Sequence, residues 1–190
     1  MISIIVAMAH NGLIGINNKL PWNEPGDLKQ FAKLTKDKTL LMGHLTYISL
    51  PASFFKSGNR NLIVLTRDPE LAPSAVSVNN GNNTIEYTDN IYSVIQDFTE
   101  GDNKDRELMV CGGRQVYEVL LGGGGLSCYA DKMYITHIPR IYYLAGNKPT
   151  YFPPIDWRLL APVNSESINA TGGTSPLLLV TYKKVFDYVS

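Results

Sequence analysis

The chain lacks an excess of charge, a long apolar run and a cysteine framework. Its 190 residues carry 17 basic and 17 acidic side chains, so no global field favours nucleic acid or an anionic membrane. Apolar runs stay well below the roughly 20 residues that cross a bilayer. The first residues, MISIIVAMAH, lack the basic region of a signal peptide. These absences predict a cytoplasmic protein without nucleic-acid or membrane partners.

The residues of metal and nucleophile sites are also scarce. Cys111 and Cys128 show no zinc or disulfide spacing, and His10, His44 and His137 are scattered along the chain. No serine stands in the strand–turn–helix setting of a hydrolase nucleophile. The sequence therefore predicts neither a metal site nor catalysis by a serine nucleophile.

Apolar patterning predicts an α/β fold. The predicted strands, most of them continuous apolar runs, are 2–8, 39–42, 61–66, 107–111, 132–138, 157–163 and 177–185. Helical spacing or a helix start is found at 25–35, 44–50, 91–99 and 114–121. The last two strands have no helix between them and are expected to pair antiparallel. The whole chain, 1–190, is expected to form a single domain around a mostly parallel mixed sheet with an antiparallel C-terminal edge.

The remaining segments are predicted to be loops. Residues 10–24 form a polar stretch of a length that is typical of functional loops. Irregular loops are expected at 51–58, 140–154 and 164–175, turns or insertions at 79–83 and 122–127, and a short strand is compatible with 76–78. The insertions near 79–83, 122–127 and 164–175 have no assigned role.

One carboxylate, that of Asp27, falls on an apolar helix face. A helix over 25–35 begins well at Pro25, where proline costs nothing. At about 100° per residue, Asp27 falls within an apolar arc. That arc consists of Leu28, Phe31, Ala32 and Leu34. A buried carboxylate is costly without a partner, which favours a functional role. The alternative is an acid that simply favours the helix macrodipole from the first turn.

Two predicted strands end in glycine just before a helix, at Gly43 and at Gly112 and Gly113. Such junctions leave helix N–H groups free to bind an anion. Each is also compatible with an ordinary strand-to-helix turn, because neither carries a full G-x-G-x-x-G. Arg67 follows strand 61–66, where an arginine accommodates a 2′-phosphate; the alternative is a surface arginine beside a turn. A buried acid near a nucleotide favours proton and hydride transfer over hydrolysis.

Several motifs occur together and in a fixed order. They are LPW at 20–22 before Asp27, MGHLTY at 42–47, NLIVLTR at 61–67, MVCGGRQVYE at 109–118, YITHI at 134–138 and TYFP at 150–153. In this order they resemble the motifs of the dihydrofolate reductase family. The resemblance implies that family's fold, with about eight strands flanked by helices.

The resemblance also implies an activity. The expected reaction is NADPH-dependent reduction of 7,8-dihydrofolate, with a hydride to C6 and a proton to N5 of the pterin. Dihydrofolate and antifolates would be the small-molecule ligands of a monomer. Two alternatives stay open: a related riboflavin-pathway-type reductase, and a non-enzymatic protein that retains the fold.

Individual residues take their expected roles from the same resemblance. The catalytic group comprises Asp27, Trp22 and Leu20. The substrate would be bound by Ile5, Val6, Ala7, Asp27, Leu28, Phe31, Leu50, Cys111, Tyr117 and Thr136. NADPH would be bound by Ala7, Ile14, Gly15, Gly43, His44, Leu45, Thr46, Leu65, Thr66, Arg67, Gly112, Gly113, Arg114, Gln115, Val116 and Tyr117.

Further expectations concern the geometry of this site. Thr136 would form a hydrogen bond with Asp27, whose pKa should rise toward neutrality through burial. Trp22 and the 10–24 loop would close over the nicotinamide. The resemblance also implies a cis peptide between Gly112 and Gly113.

The sequence departs from the family pattern at the distal end of the substrate site. Where the family has P-G-R-x-N, this chain has SGNRN, with Asn59 in place of the arginine that binds the folate glutamate. Arg60 is a strand neighbour and should face the other way; Lys56 is another candidate. The acid before FP is missing as well. We expect weaker or rearranged binding of the folate tail.

Overall fold

The computed structural model describes residues 1–56, 58–68, 83–122, 129–142, 148–169 and 176–185. Its strands are β1 (Ile2–Ala9), β2 (Leu13–Ile16), β3 (Thr39–Gly43), β4 (Asn61–Leu65), β5 (Thr84–Thr88), β6 (Leu108–Val110), β7 (Lys132–Ile138), β8 (Pro149–Tyr151), β9 (Leu160–Ile168) and β10 (Leu177–Lys184). Its helices are α1 (Pro25–Leu34), α2 (His44–Ser49), α3 (Ala52–Phe55), α4 (Ile91–Thr99) and α5 (Arg114–Leu120). A 3₁₀ turn, Trp157–Leu159, precedes β9.

Eight strands form one mixed sheet in the order β5-β4-β3-β6-β1-β7-β10-β9. Pairing is parallel from β5 to β7, and antiparallel where β10 joins β7 and β9. The register of β9 against β10 shifts between Thr181 and Tyr182, and Tyr182 lies opposite Pro162. The predicted architecture, a mostly parallel sheet with an antiparallel C-terminal edge, is confirmed.

The central strand β1 is buried on both faces because its side chains alternate between two apolar layers. Ile4 packs in a cluster with Phe98 of α4 and Leu120 of α5. Its neighbour Ile5 packs in a second cluster with Phe54 of α3. This explains why the segment is a continuous apolar run instead of an alternating one. No helix within the described ranges is both long and apolar enough to cross a membrane.

Four predicted element boundaries differ from the structure. Residues 51–58, predicted to be irregular, contain the short helix α3. The predicted strand 157–163 begins only at Leu160, and it continues to Ile168 into the predicted loop 164–175. Loops 10–24 and 140–154 each contain a short strand, because β2 and β8 pair with each other in a separate two-stranded sheet.

Strand β5 was missed altogether. It begins just after the segment 79–83 that was predicted to be a turn, and it shows one buried side chain, Ile85, in five residues. Its backbone is ordered by parallel pairing to β4, which a short and mostly polar segment does not reveal. The predicted strand 76–78, the insertion 79–82, most of the turn at 122–127 and the rest of loop 164–175 lie outside the described residues.

Candidate active site

A cleft of about 800 Å³ opens at the carboxyl ends of the parallel strands. Residues near or just after the ends of β1, β3, β4, β6 and β7 line it, among them Ala7, Gly43, Arg67, Cys111 and Thr136. Helix α1 forms another wall. Ligands of open α/β sheets bind at this edge, because the loops after neighbouring parallel strands diverge there.

The carboxylate of Asp27 is the buried acid of this cleft. Asp27 lies in the first turn of α1, with 7% of its surface exposed. Burial raises its pKa from the ordinary 3.8 to about 6, although the hydrogen bond with Thr136 acts in the opposite direction. The negative charge of Glu24 raises this pKa further, and Trp22 lowers it slightly. The expected contact with Thr136 and the expected rise in pKa are both confirmed.

The apolar face of α1 serves the cleft as well as the core. Phe31 is half-buried and stacks on Phe54 with ring centroids 5.4 Å apart. Leu28 is 41% exposed and lines the cleft. An apolar side chain that is exposed in a concave site suits a flat organic ligand more than water. The helical arc predicted from the sequence is therefore divided between core packing and the wall of the cleft.

The two glycine junctions lie side by side. The N–H of Gly43 donates to the carbonyl of Gly112 at 2.7 Å, and the peptide between Gly112 and Gly113 is cis, as expected. Gly43 and Gly113 are the N-cap residues of α2 and α5, and neither helix start has a side-chain cap. A Cβ atom on Gly113 would lie 3.3 Å from Oγ1 of Thr46. The free N–H groups of both helices thus border the cleft.

Basic side chains lie around these helix starts. Arg67 is exposed and lines the cleft just after β4. Arg114 lines it too, with its guanidinium bound to Glu118 at 2.7 Å. The Nδ1 atom of His44 is buried and has no hydrogen-bond partner within the described residues. Free N–H groups, two arginines and an unpartnered histidine nitrogen together fit the phosphates of a dinucleotide.

Nearly all of the predicted site residues line the cleft. They are Ile5, Val6, Ala7, Ile14, Gly15, Leu20, Asp27, Leu28, Phe31, Gly43, His44, Leu45, Thr46, Leu50, Leu65, Thr66, Arg67, Cys111, Gly112, Gly113, Arg114, Gln115, Val116, Tyr117 and Thr136. Trp22 is the exception. Its ring is buried behind the wall, where it packs on Tyr142 with centroids 5.8 Å apart.

Other lining residues were not foreseen. They are Asn18, Lys19, Gln30, Leu34, Ser49, Asp89, Ile91, Val119 and Thr150. Leu34 belongs to the predicted apolar arc of α1, so helical periodicity alone places it on the same face as Asp27. Asp89 and Ile91 follow β5, and Thr150 lies in β8, so their contribution depended on strands that the sequence did not reveal.

Arg60 lies behind the cleft. Its guanidinium donates from Nε to Oγ1 of Thr35 at 3.2 Å and from Nη2 to the carbonyl of Ala32 at 3.0 Å. The carbonyl of Phe54 accepts a third bond at 3.3 Å, and the phenyl ring of the same residue lies 4.3 Å from the guanidinium carbon. Arg60 is 1% exposed, and it does not line the cleft. Asn59 and Lys56 are exposed and lie outside the lining too.

The fold and the site define an α/β protein with a deep ligand cleft at the carboxyl ends of its parallel strands. Groups of histidine, cysteine, aspartate or glutamate that could hold a metal ion are absent from the described residues.

Comparison with known proteins identifies the family. The family model for dihydrofolate reductase matches residues 1–184. The chain is 35% identical over 162 residues to a dihydrofolate reductase of Buchnera aphidicola subsp. Baizongia pistaciae, covering 84% of this chain and 83% of that protein. It is 32% identical to that of Bacillus subtilis over 164 residues, 85% of this chain and 82% of the relative. The chain belongs to the dihydrofolate reductase family.

A solved structure supports the same fold. The dihydrofolate reductase from Enterococcus faecalis, complexed with NADP(H) and RAB-propyl, superimposes with a TM-score of 0.68 at 24% identity. The alignment covers 98% of this chain and 97% of the other. The resemblance inferred from the motifs is confirmed.

Proposed function

We propose that the protein reduces 7,8-dihydrofolate to 5,6,7,8-tetrahydrofolate with NADPH, using Asp27 as the active-site acid. The observation that carries this proposal is a single buried carboxylate in the cleft, with a pKa of about 6 and a hydroxyl partner in Thr136. A group that titrates near neutrality is suited to controlling proton transfer at working pH. Family membership supports the choice of substrate.

Asp27 binds and orients the pterin in this proposal. Its two carboxylate oxygens accept hydrogen bonds from the 2-amino group and N3 of the ring, as charge-assisted pairs. Thr136, which already contacts Asp27, fixes the carboxylate and reaches the same edge of the ring. The ring then lies between Ile5 on β1 and Phe31 on α1, which both line the cleft.

Proton delivery to N5 follows from this orientation. N5 lies on the far side of the pterin from the edge that Asp27 binds, so a water molecule carries the proton. With a pKa of about 6, Asp27 is largely ionised at pH 7, and its negative charge favours the protonated form of the substrate. Leu20, which is 47% exposed at the cleft mouth, closes over the reacting atoms with the rest of the 10–24 loop.

The cofactor half of the cleft fits NADPH. The N–H groups at the starts of α2 and α5 bind the pyrophosphate, and Arg67 binds the 2′-phosphate of the adenosine. Gly43, Gly112 and Gly113 let the backbone approach the cofactor closely. When bound, NADPH supplies the hydride for C6 of the pterin. The complex of the Enterococcus faecalis relative with NADP(H) supports this assignment.

The distal end of the substrate site departs from the family. Because Asn59 is exposed and the donors of Arg60 are directed at Thr35, Ala32 and Phe54, no arginine lines the described cleft beside α1. Loss of such a charge-assisted pair removes about 1.5–3 kcal/mol of binding free energy. The glutamate tail of folate should therefore contribute little to affinity.

The remaining assignments are also part of this proposal. The chain 1–190 works as one domain and as a monomer in the cytoplasm. Its partners are dihydrofolate and antifolates, and it binds neither nucleic acid nor membranes. Balanced charge and a cleft lined by apolar and glycine residues support these statements.

A direct assay tests the proposal. Purified protein mixed with NADPH and dihydrofolate should oxidise NADPH, and an antifolate should abolish the reaction. Turnover of a ribosylated pyrimidine but not of dihydrofolate would instead identify a riboflavin-pathway-type reductase. Tight binding of both ligands without turnover would identify a non-enzymatic protein that retains the fold.

The choice of cofactor has its own test. Replacement Arg67→Ala should weaken NADPH binding by roughly ten- to a hundredfold, because one charge-assisted phosphate contact is lost. NADH binding should change much less, since NADH lacks the 2′-phosphate. Dissociation constants measured by fluorescence for both cofactors decide the point, and equal losses would remove Arg67 from the 2′-phosphate site.

A further inference from the structure

An ion pair between a buried glutamate and a partly exposed arginine lies next to Asp27 but outside the cleft lining. Oε1 of Glu24 lies 2.8 Å from Nη1 of Arg140, and the glutamate side chain is 2% exposed. A carboxylate that is withdrawn from water to this degree needs its cation, because an uncompensated buried charge is strongly unfavourable. Glu24 and Arg140 therefore stabilise each other, and a change in one side chain affects the other.

Glu24 is linked to Asp27 through the start of helix α1. It is the N-cap residue of that helix, and its carbonyl accepts the N–H of Asp27 at 3.0 Å and that of Leu28 at 3.3 Å. A movement of Glu24 consequently moves the turn that carries the acid. Its carboxylate also places a second negative charge near that of Asp27.

The other partner is linked to both ends of the 10–24 loop. The carbonyl of Arg140 accepts the N–H of His10 at 3.0 Å, at the beginning of the loop, while its guanidinium holds Glu24 at the end. Two residues further on, the ring of Tyr142 packs on Trp22. The carbonyl of Tyr142 also accepts from the side chain of Asn11 at 3.2 Å.

We propose that the Glu24–Arg140 ion pair is a positioning device for the substrate acid, fixing both ends of the 10–24 loop and holding a compensated negative charge beside Asp27. The inference rests on the proposed role of Asp27. Neither partner touches the reacting atoms, so the pair acts through Asp27 and through the loop that carries Leu20 and Trp22.

Electrostatics supports the same role. The charge of Glu24 raises the pKa of Asp27, after burial and against Thr136. The guanidinium of Arg140 places a positive charge 2.8 Å from the Glu24 carboxylate, so removal of this charge should strengthen the effect of Glu24 on the pKa of Asp27. Two other charged groups that contact α1 lie outside the cleft lining: Lys33 lies 4.0 Å from Glu166 of β9 in a solvent-exposed pair, and Arg60 donates to the carbonyl of Ala32. Tyr134 of β7 packs against the same apolar cluster as Trp22.

Two substitutions should shift the pKa of Asp27 in opposite directions. Glu24→Gln removes the negative charge and leaves Arg140 positive, so the apparent pKa of hydride transfer should fall by roughly half a unit. Arg140→Met removes the positive charge beside the Glu24 carboxylate, so the same pKa should rise by roughly half a unit. Arg140→Lys keeps the charge and should restore most of the profile of the unmodified protein.

A second ion pair provides a matched control. Lys38 and Glu107 also lie 2.8 Å apart, with side chains 38% and 11% exposed, against 37% and 2% for Arg140 and Glu24. The control pair packs against Ser3 at the beginning of β1, away from the carboxyl ends of the strands. Lys38→Met should lower thermal stability without moving the pH profile of hydride transfer.

The decisive measurement is the titration of Asp27 itself. NMR of carboxyl-labelled aspartate in the ligand-free protein, assigned with Asp27→Asn, should show opposite shifts for Glu24→Gln and Arg140→Met. Shifts in the same direction, or none, with stability losses like that of Lys38→Met, would reduce the pair to a structural brace and overturn the inference. Because this titration needs no turnover, its outcome is independent of the proposed reaction, which Asp27→Asn tests separately by activity.

Discussion

Each end of the central sheet has a carboxylate that is largely withdrawn from water, and the pKa values of the two are shifted in opposite directions. At the amino end, Glu107 accepts hydrogen bonds from Oγ of Ser3 at 2.6 Å and from Nζ of Lys38 at 2.8 Å. Burial raises its pKa, but these bonds and the charge of Lys38 outweigh burial, so the net shift is downward. At the carboxyl end, Asp27 has hydrogen-bond partners in Thr136 and Trp22 but forms no ion pair within the described residues, and its pKa rises to about 6.

The difference separates an acid whose partners lie within the fold from one that faces the cleft, where the proposed function places a ligand. Glu107 has its donors within the protein and is ionised at neutral pH at little cost. Asp27 has a raised pKa instead, so a ligand that donates two hydrogen bonds to it, as the proposed function requires of the pterin, would stabilise its ionised form. Strain of this electrostatic kind is usual at functional sites.

The largest expected effect comes from neutralising the acid of the cleft. Asp27→Asn should keep the fold and NADPH binding but lower hydride transfer at pH 7 by roughly a hundred- to ten-thousandfold, since the group that favours N5 protonation is lost. Stopped-flow measurement of NADPH oxidation gives the rate. The deficit should shrink at low pH, where solvent protonates the substrate without help.

Glu107→Gln is the matched change at the other end of the sheet. It should leave the rate of hydride transfer within a fewfold of the original. If Asp27→Asn retained a near-normal rate of hydride transfer at pH 7, Asp27 would be no more important for the reaction than Glu107.

The second largest expected effect is on the free energy of unfolding, and it comes from the ion pair at the amino end of the central sheet. Lys38→Met should reduce the free energy of unfolding at pH 7 by about 2–3 kcal/mol, because Glu107 loses its cation in a largely buried position. Urea unfolding followed by circular dichroism measures the change. A carboxylate with a lowered pKa contributes stability above its unfolded pKa and loses it on acidification, so the difference should narrow below about pH 4.

The smallest expected effect has the opposite sign. Asp27→Asn should raise the free energy of unfolding of the ligand-free protein by about 1–2 kcal/mol at pH 8, since it removes an ionised acid from a buried site. A group with a raised folded pKa is least costly when protonated. The gain should therefore decline as pH falls through 6 and vanish near pH 4.

Unfolding curves at several pH values test this last point. A pH-independent gain would mean that the replacement acts through packing, and a loss at pH 8 would mean that Asp27 has a stabilising partner in the unliganded protein.

Much of the sheet could be predicted from local patterns. β1, β4 and β7 are largely apolar runs, and α4 follows the helical period. These elements can therefore be predicted from residues that are adjacent in the sequence. β2 and β8 were missed because each is short and is ordered only by pairing with the other, far along the chain. β5 was missed for a similar reason, since its order comes from β4.

The site shows the same division. Asp27 and the glycines at the ends of β3 and β6 could be predicted, because their positions depend on one element and its immediate boundary. The pair of Glu24 with Arg140 could not, since a glutamate beside a proline and an arginine in a loop carry no local sign of burial. The burial of Arg60 under α1 likewise depends on where helices α1 and α3 meet.

Strand β9 ends the sheet with an open edge, along which the six residues between Ala161 and Ile168 are exposed. Such an edge offers unpaired N–H and C=O groups to any other extended chain. Pro162 lies in this strand opposite the shift in register with β10, and proline has no N–H to donate. A further strand would meet a missing donor and an irregular register at that point. Among the described residues, β9 is therefore a poor template for pairing with a further strand.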